Sequence, residues 1–178
     1  MLLSGDLSHV AITSPRLALR SSTAADGDEA FTEGNAAIAR FMSWNPPASR
    51  DEFDGIRSTI LAQMVTGENL SLTVRLLATR EFLGSASLQP ADADWLETGI
   101  WIKQSAQRQG YGREAVAAVD AWASRRFRPS GLLWPVVDEN LASRRLAESL
   151  GGQIIGARRR QKAGDIERTL LLYQIPVG

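Results

Sequence analysis

Residues 97–127 read ETGIWIKQSAQRQGYGREAVAAVDAWASRRF, and the fold turns on how this stretch is read. Ile100, Trp101 and Ile102 are bulky, apolar and short in run, which suits a buried strand. A polar loop follows over residues 103–109. Gly110, Tyr111 and Gly112 then open a helix. Val116, Val119, Ala123 and Phe127 share one face of it, while Arg113, Glu114 and Asp120 are polar. Arg125, Arg126 and Arg128 crowd its last turn, where cations suit the helix dipole. A helix start leaves backbone N–H groups without partners and carries positive potential. Glycines there let a ligand approach the backbone closely. Strand, glycine loop and helix start together make an anion cradle suited to phosphate or diphosphate.

Two fingerprints fit the cradle. Gly110, Gly112 and Ala115 spell G-x-G-x-x-A, a dinucleotide pattern, with Asp138 beyond the next strand as a ribose acceptor. That pattern turns directly from strand to helix, whereas a long polar loop intervenes here, and repeated strand–helix units do not follow. The other reading takes Gln107, Arg108, Gln109, Gly110, Tyr111 and Gly112 together as Q-x-x-G-x-G.

Outward from this stretch, the chain alternates short strands and helices. Residues 1–10 carry little pattern and read as a loose arm. After Ser14-Pro15, Leu17 and Leu19 alternate with Arg16 and Arg20 as in a half-buried strand. Thr23, followed by Asp26, Asp28 and Glu29, starts a helix to about residue 40 that Gly27 and Gly34 weaken. Residues 41–47, FMSWNPP, form a proline-stiffened loop. Trp44 in it either packs inward or walls an acceptor pocket. Ser49 with Glu52 has capping-box spacing, and Phe53, Ile56, Ile60, Leu61 and Met64 give the next helix its apolar positions up to Gly67. Residues 70–78, 82–88 and 97–102 are then three strands joined by short turns, an antiparallel meander.

Beyond the central helix, Pro129, Ser130 and Gly131 break the chain, and residues 132–137 form a strand. Because a crossover helix precedes it, this strand runs parallel to residues 97–102. Pro135 cannot donate to a ladder, so it marks an edge, a bulge or a place where strands part. Residues 138–151 form a short helix stopped by Gly151, with Asn140 well placed to cap it. Residues 153–160 and 166–175 flank a hairpin turn at Ala163, Gly164 and Asp165. The run Arg158, Arg159, Arg160, Gln161, Lys162 is either a solvated strand end or an attractor of acidic acceptors.

Composition narrows the chemistry. The chain has 178 residues, 44% hydrophobic and 22% charged, as in one ordinary globular domain. Its formal net charge is zero, so bulk attraction to nucleic acid or a membrane surface is not expected. It has no cysteine and a single histidine, His9, which leaves no thiolate nucleophile, zinc–thiolate site or histidine triad. No run is long and apolar enough to span a bilayer, the start lacks a signal pattern, and a cytoplasmic location is expected.

The Q-x-x-G-x-G loop resembles the acetyl-CoA diphosphate loop of the GNAT superfamily of N-acetyltransferases. Two further motifs agree with it in order. T-S-P-R-L-A-L-R at residues 13–20 is similar to the first strand of the ribosomal-protein N-terminal acetyltransferase branch. D-x-N-x-x-S-x-x-x-x-E-x-x-G at residues 138–151 resembles the last helix, where the asparagine contacts the cofactor. The resemblance implies an α+β fold over residues 1–178. It would have a single mixed, mostly antiparallel sheet, splayed central parallel strands and about four helices on both faces. It also implies that pantetheine enters the splay along Ile100, Trp101 and Ile102, and that residues 107–113, including Arg113, with Asn140, Ser143 and Arg144 bind acetyl-CoA. Trp44, Ser85 and Glu97 would line the acceptor pocket. Two departures stand out: many relatives carry a tyrosine where this chain has Ala147 and an aromatic where it has Gly152. The missing tyrosine leaves Ser143 as the matching proton donor for the CoA thiolate.

Acetyl transfer to an amine requires a proton to leave first, since an α-amine has a pKa near about 8 and lysine about 10.4. A carboxylate at the central strand can take it directly or through water. Glu97 matches the acidic position of the family's strand, although a strand-edge charge is its plain alternative. Ser143 would protonate the thiolate, and backbone amides near Trp101 and Ile102 would polarise the carbonyl. The implied enzyme is an N-acetyltransferase with acetyl-CoA as co-substrate, no metal, and a peptide N-terminus or small-molecule amine as acceptor, acting as monomer or homodimer. A non-catalytic acyl-CoA-binding domain and a nicotinamide or flavin binder are the competing readings.

Overall fold

A computed structural model describes residues 3–92, 94–160 and 167–176. In chain order it has β1 (Ala11–Thr13), β2 (Leu17–Ser21), α1 (Gly27–Glu33), α2 (Ala36–Ala39) and α3 (Arg50–Thr66). Then come β3 (Leu70–Leu76), β4 (Phe82–Pro90), β5 (Trp95–Ile102) and α4 (Tyr111–Phe127). The chain closes with β6 (Gly131–Val137), α5 (Leu141–Ser149), β7 (Gln153–Arg160) and β8 (Arg168–Pro176). All eight strands belong to one sheet in the order β1-β2-β3-β4-β5-β6-β8-β7. Every neighbouring pair is antiparallel except β5 and β6, which α4 connects as a crossover.

The core follows from alternation. Leu72, Thr73 and Val74 are consecutive and all buried, so both faces of the sheet are covered at β3. Helix α3 lies on β3 and α1 on β4, while α4 lies on β5, β1 and β2 with α5 beside it. Val116, Val119, Ala123 and Phe127 are all buried, as the helical period requires. Each of the two valines contributes roughly 1.5–3 kcal/mol by leaving water. No helix among the described residues is long and apolar enough to cross a membrane.

Several local expectations are corrected. The arm at the N-terminus is pinned rather than loose. Leu3 and Leu7 are 1% and 2% exposed, and the Leu7 N–H donates to the Met64 carbonyl. Two leucines in a weakly patterned segment suffice, because the end of α3 offers them an apolar seat. The single helix expected over residues 24–40 is a 3-10 turn followed by α1 and α2, parted at Gly34, whose ψ of 44° leaves the helical region. On α3, Ser49 accepts the Glu52 N–H as an N-cap, but Ile56 is 48% exposed and only Met64 of its apolar residues is fully buried. Strand β1 is three residues long and gave no periodic signal. The turn expected at Ala163, Gly164 and Asp165, with Gln161, Lys162 and the start of the last strand at Ile166, lies outside the described residues.

Candidate active site

The parallel pair β5–β6 is joined at only three positions: Trp95–Gly131, Leu96–Leu132 and Glu97–Leu133. From Thr98 to Ile102 on one side and Trp134 to Val137 on the other, the strands continue without a shared ladder. Each stays paired to its outer neighbour, β4 and β8, so the two halves of the sheet part at this point. Pro135 sits past the last joint, where β6 has no β5 partner for an N–H to serve. Ile100, Trp101 and Ile102 therefore present a strand edge to a fork.

Glu97 occupies the crotch of the fork. Leu96 and Thr98 are buried, so alternation sends Glu97, Gly99 and Trp101 to the other face. Register puts Ser85 opposite Trp101 and Gln89 opposite Glu97 on that face. One Glu97 carboxylate oxygen accepts from Gln89 Nε2 at 3.3 Å, and the other lies 3.7 Å from Arg158 Nη2. The Glu97 side chain is 27% exposed and Arg158 50% exposed, so this is a loose pair open to solvent. Arg158 comes from β7 in the last hairpin, so this residue of the basic run lies beside the fork. Trp101 stacks at a tilt on Phe82, with ring centres 5.8 Å apart. Gly84, beside them on β4, is a close-approach position: a Cβ there would stand 2.1 Å from the Trp101 carbonyl oxygen. Trp44 is half-buried, and its indole lies near Gly34.

The glycine loop joins the open end of β5 to α4. Gln107 Nε2 donates to the Ile102 carbonyl at 2.9 Å and ties the loop to the strand end. Arg108 has φ 62° and Gly110 φ 81°, so the chain enters the left-handed region twice before the helix. Gly110 caps α4 with no side-chain hydrogen bond. Its carbonyl accepts the Glu114 N–H at 3.1 Å, the start of the helical ladder. The amides of Tyr111, Gly112 and Arg113 precede that ladder, so no carbonyl of the helix serves them. Gly112 also sets the packing of α4 on α5, since a Cβ there would stand 3.1 Å from Leu146 Cδ1.

On α5 the expected binding residues are largely engaged by the protein. Asn140 Oδ1 accepts the Ser143 N–H at 3.2 Å, so the asparagine is the helix cap. Arg144 donates to Tyr173 Oη at 3.2 Å and to the Asp138 carbonyl at 3.1 Å. Arg113 bridges to the Ser149 carbonyl at 3.4 Å and ties α4 to α5. Ala147 is fully buried, and Gly152 is a tight position where a Cβ would stand 2.7 Å from the Ala147 carbonyl oxygen. Both departures from the family pattern thus sit in one small packed corner.

Two groups at the site escaped sequence reading. Gln89 is one, and the other is a cluster beneath the loop. Glu114, 16% exposed, accepts from Ser14 Oγ at 2.7 Å, from the Arg16 N–H at 2.8 Å and from Arg16 Nε at 2.6 Å. Burial disfavours its charge, but these donors outweigh burial and hold the carboxyl below its ordinary range. Arg16 also donates to the Gln109 carbonyl at 3.0 Å and stacks over Tyr111 at 4.6 Å. An open groove of about 560 Å³ lies alongside, between the β1–β2 turn and α4.

Residues 16–153 match the family model described as an acetyltransferase (GNAT) domain. No curated protein matches this chain in sequence. Among solved structures, an acetyltransferase of the GNAT family from Bacillus anthracis is 15% identical, with a TM-score of 0.82 over 94% of this chain and 98% of that one. A ribosomal-protein-serine acetyltransferase from Vibrio cholerae is 23% identical, with a TM-score of 0.80 over 95% and 99%. RimL, a ribosomal-protein alpha-N-protein acetyltransferase in complex with coenzyme A, is 18% identical, with a TM-score of 0.78 over 94% and 98%. At these identities the likeness establishes the fold. The last two neighbours are named for the branch that the sequence resembles.

Proposed function

This chain belongs to the GNAT acetyltransferase family, and we propose that it transfers the acetyl group of acetyl-CoA directly to a primary amine at the fork between β5 and β6. The parting of those strands after Glu97 is the observation that carries the reading. It leaves a strand edge for the amides and carbonyls of pantetheine beside a helix start suited to the diphosphate. The residues fit acetyl-CoA as co-substrate: the cradle is built of backbone N–H groups, and the fork is apolar at Ile100 and Ile102. Residues 107–113 would hold the diphosphate, and α5 from Asn140 to Arg144 would flank it.

The acceptor approaches from the face of Ser85, Trp101 and Glu97. An ammonium entering there competes with Arg158 for Glu97, and the Glu97 carboxylate takes its proton directly or through water. The neutral nitrogen attacks the thioester carbon, with the carbonyl oxygen held by strand amides near Trp101 and Ile102. The new C–N bond forms and the C–S bond breaks. Ser143, the donor left by the absent tyrosine, gives its proton to the thiolate, and the second nitrogen proton returns to the serine oxygen through water, so that amide, thiol and neutral serine result. Resemblance to the ribosomal-protein branch, and the names of the two structural neighbours, support a peptide α-amine over a small-molecule amine. A single domain over residues 1–178, working in the cytoplasm as a monomer or homodimer, is part of the same reading.

The buried Ala147 favours one competitor, a non-catalytic acyl-CoA-binding domain. Thiol release from acetyl-CoA across peptide and amine panels separates the two. Turnover that falls in Glu97→Gln while CoA binding persists supports the enzyme. CoA binding with no thiol release supports the competitor, and no CoA binding at millimolar concentration overturns both.

A further inference from the structure

We infer that Arg16 and Glu114 are positioning residues that aim the Gly110 amide at the bound diphosphate; this rests on the acetyl-CoA reading above. The observations converge on one peptide unit. Arg16, at the foot of β2, donates to the Gln109 carbonyl at 3.0 Å. A trans peptide holds its C=O and N–H in opposite directions. Drawing the Gln109 carbonyl toward β2 therefore turns the Gly110 N–H away from Arg16, toward the mouth of the loop. Gly110 holds the turn at φ 81°, a region most side chains avoid. Arg16 cannot drift. Its Nε is fixed by Glu114 at 2.6 Å, and its guanidinium lies over the Tyr111 ring. Glu114 is anchored in turn by the Ser14 hydroxyl and the Arg16 backbone N–H. The β1–β2 turn and the first turn of α4 thus grip the loop from below. An arginine suits this task because its planar fork serves the carboxylate and the carbonyl together.

The test is an amide NMR titration with CoA, alongside calorimetry, on the wild type, Arg16→Gln, Arg16→Lys and Glu114→Gln. The wild type is expected to show a large shift of the Gly110 amide on adding CoA. All three variants are expected to lose most of that shift and to bind CoA about tenfold more weakly, as for loss of a charge-assisted hydrogen bond. Arg16→Lys keeps the charge but not the fork, so its failure to rescue marks geometry rather than bulk attraction. A merely structural role would lower the melting temperature or the binding stoichiometry and leave the shift of the folded fraction intact. Arg16 is 48% exposed, so Arg16→Gln carries the test if Glu114→Gln does not fold. Unchanged affinity and an unchanged Gly110 shift in the Arg16 variants overturn the clamp alone. A wild type whose Gly110 and Gly112 amides ignore CoA overturns the diphosphate reading, and the clamp with it.

Discussion

Asp26 and Glu97 are both carboxylates of one sheet assembly, and they are held in opposite ways. Asp26, in the 3-10 turn after β2, is 1% exposed. It accepts from Arg20 at 2.5 and 2.9 Å, from Arg75 at 3.0 Å, and from the Thr23 N–H and hydroxyl. Burial raises its pKa, but the Thr23 N–H and the two guanidiniums outweigh burial and bring it down to about 2. Arg75 also pairs with Glu29, closing the network. Glu97, at the fork, has one amide donor at 3.3 Å and one guanidinium at 3.7 Å, and remains open to solvent. A saturated carboxylate locks elements together and has nothing left to exchange. A slack one can trade a partner for an incoming ammonium and take its proton. The difference sets Asp26 apart as architecture and leaves Glu97 with the slack that the proposed mechanism needs.

The contrast can be broken at four points. Asp26→Asn removes a buried acceptor shared by Arg20, which is 41% exposed, and Arg75, which keeps Glu29, and should cost about 3 kcal/mol in urea unfolding, as for loss of charged hydrogen bonds. A loss under 1 kcal/mol would remove Asp26 from the architectural role. Glu97→Gln should lower kcat about 100-fold, or about 2.7 kcal/mol of barrier, with the melting temperature nearly unchanged. Full turnover in that variant would assign the base elsewhere. Acid titration of the wild type probes the same contrast without mutation. The folded pKa of Asp26 lies below its ordinary 3.8, so its contribution is complete above that value and drains away as pH falls toward about 2. Stability should drop by about 2 kcal/mol across that window, and a flat profile would deny the network. Smallest of all, Arg158→Ala should change stability by less than about 0.5 kcal/mol, since an exposed, loose pair contributes little. A larger loss would mean that Arg158 is structural.

What the sequence disclosed follows the range of the physics involved. The face of α4 was legible because a 3.6-residue period repeats through Val116, Val119, Ala123 and Phe127. The parallel β5–β6 pair was legible because only a crossover helix joins such strands. Asn140 was legible as a cap from its position before Leu141. Strand β1 was not, since three residues carry no period. The split at Gly34 was visible only as weakness, and the exposure of Ile56 not at all, because periodicity does not say what a helix packs against. The Arg16–Glu114 pair spans 98 residues, and nothing local in either segment announces the other. Arg158 reaches Glu97 only through the path of the last hairpin, so the sequence left its run between a solvated strand end and an attractor of acidic acceptors. Glu97 was singled out by resemblance, and its loose pairing became visible only in three dimensions.

The central claim is that the amides opening α4 hold the diphosphate of coenzyme A while its arm lies in the fork. A crystal structure of the CoA complex tests it directly. The account predicts diphosphate oxygens within hydrogen-bond reach of the Gly110, Tyr111 and Gly112 N–H groups. It also predicts pantetheine between residues 98–102 and 134–137, with the sulfur near Glu97. Coenzyme A bound elsewhere, or β5 and β6 laddered together past Glu97 and Leu133 with the ligand present, would contradict it.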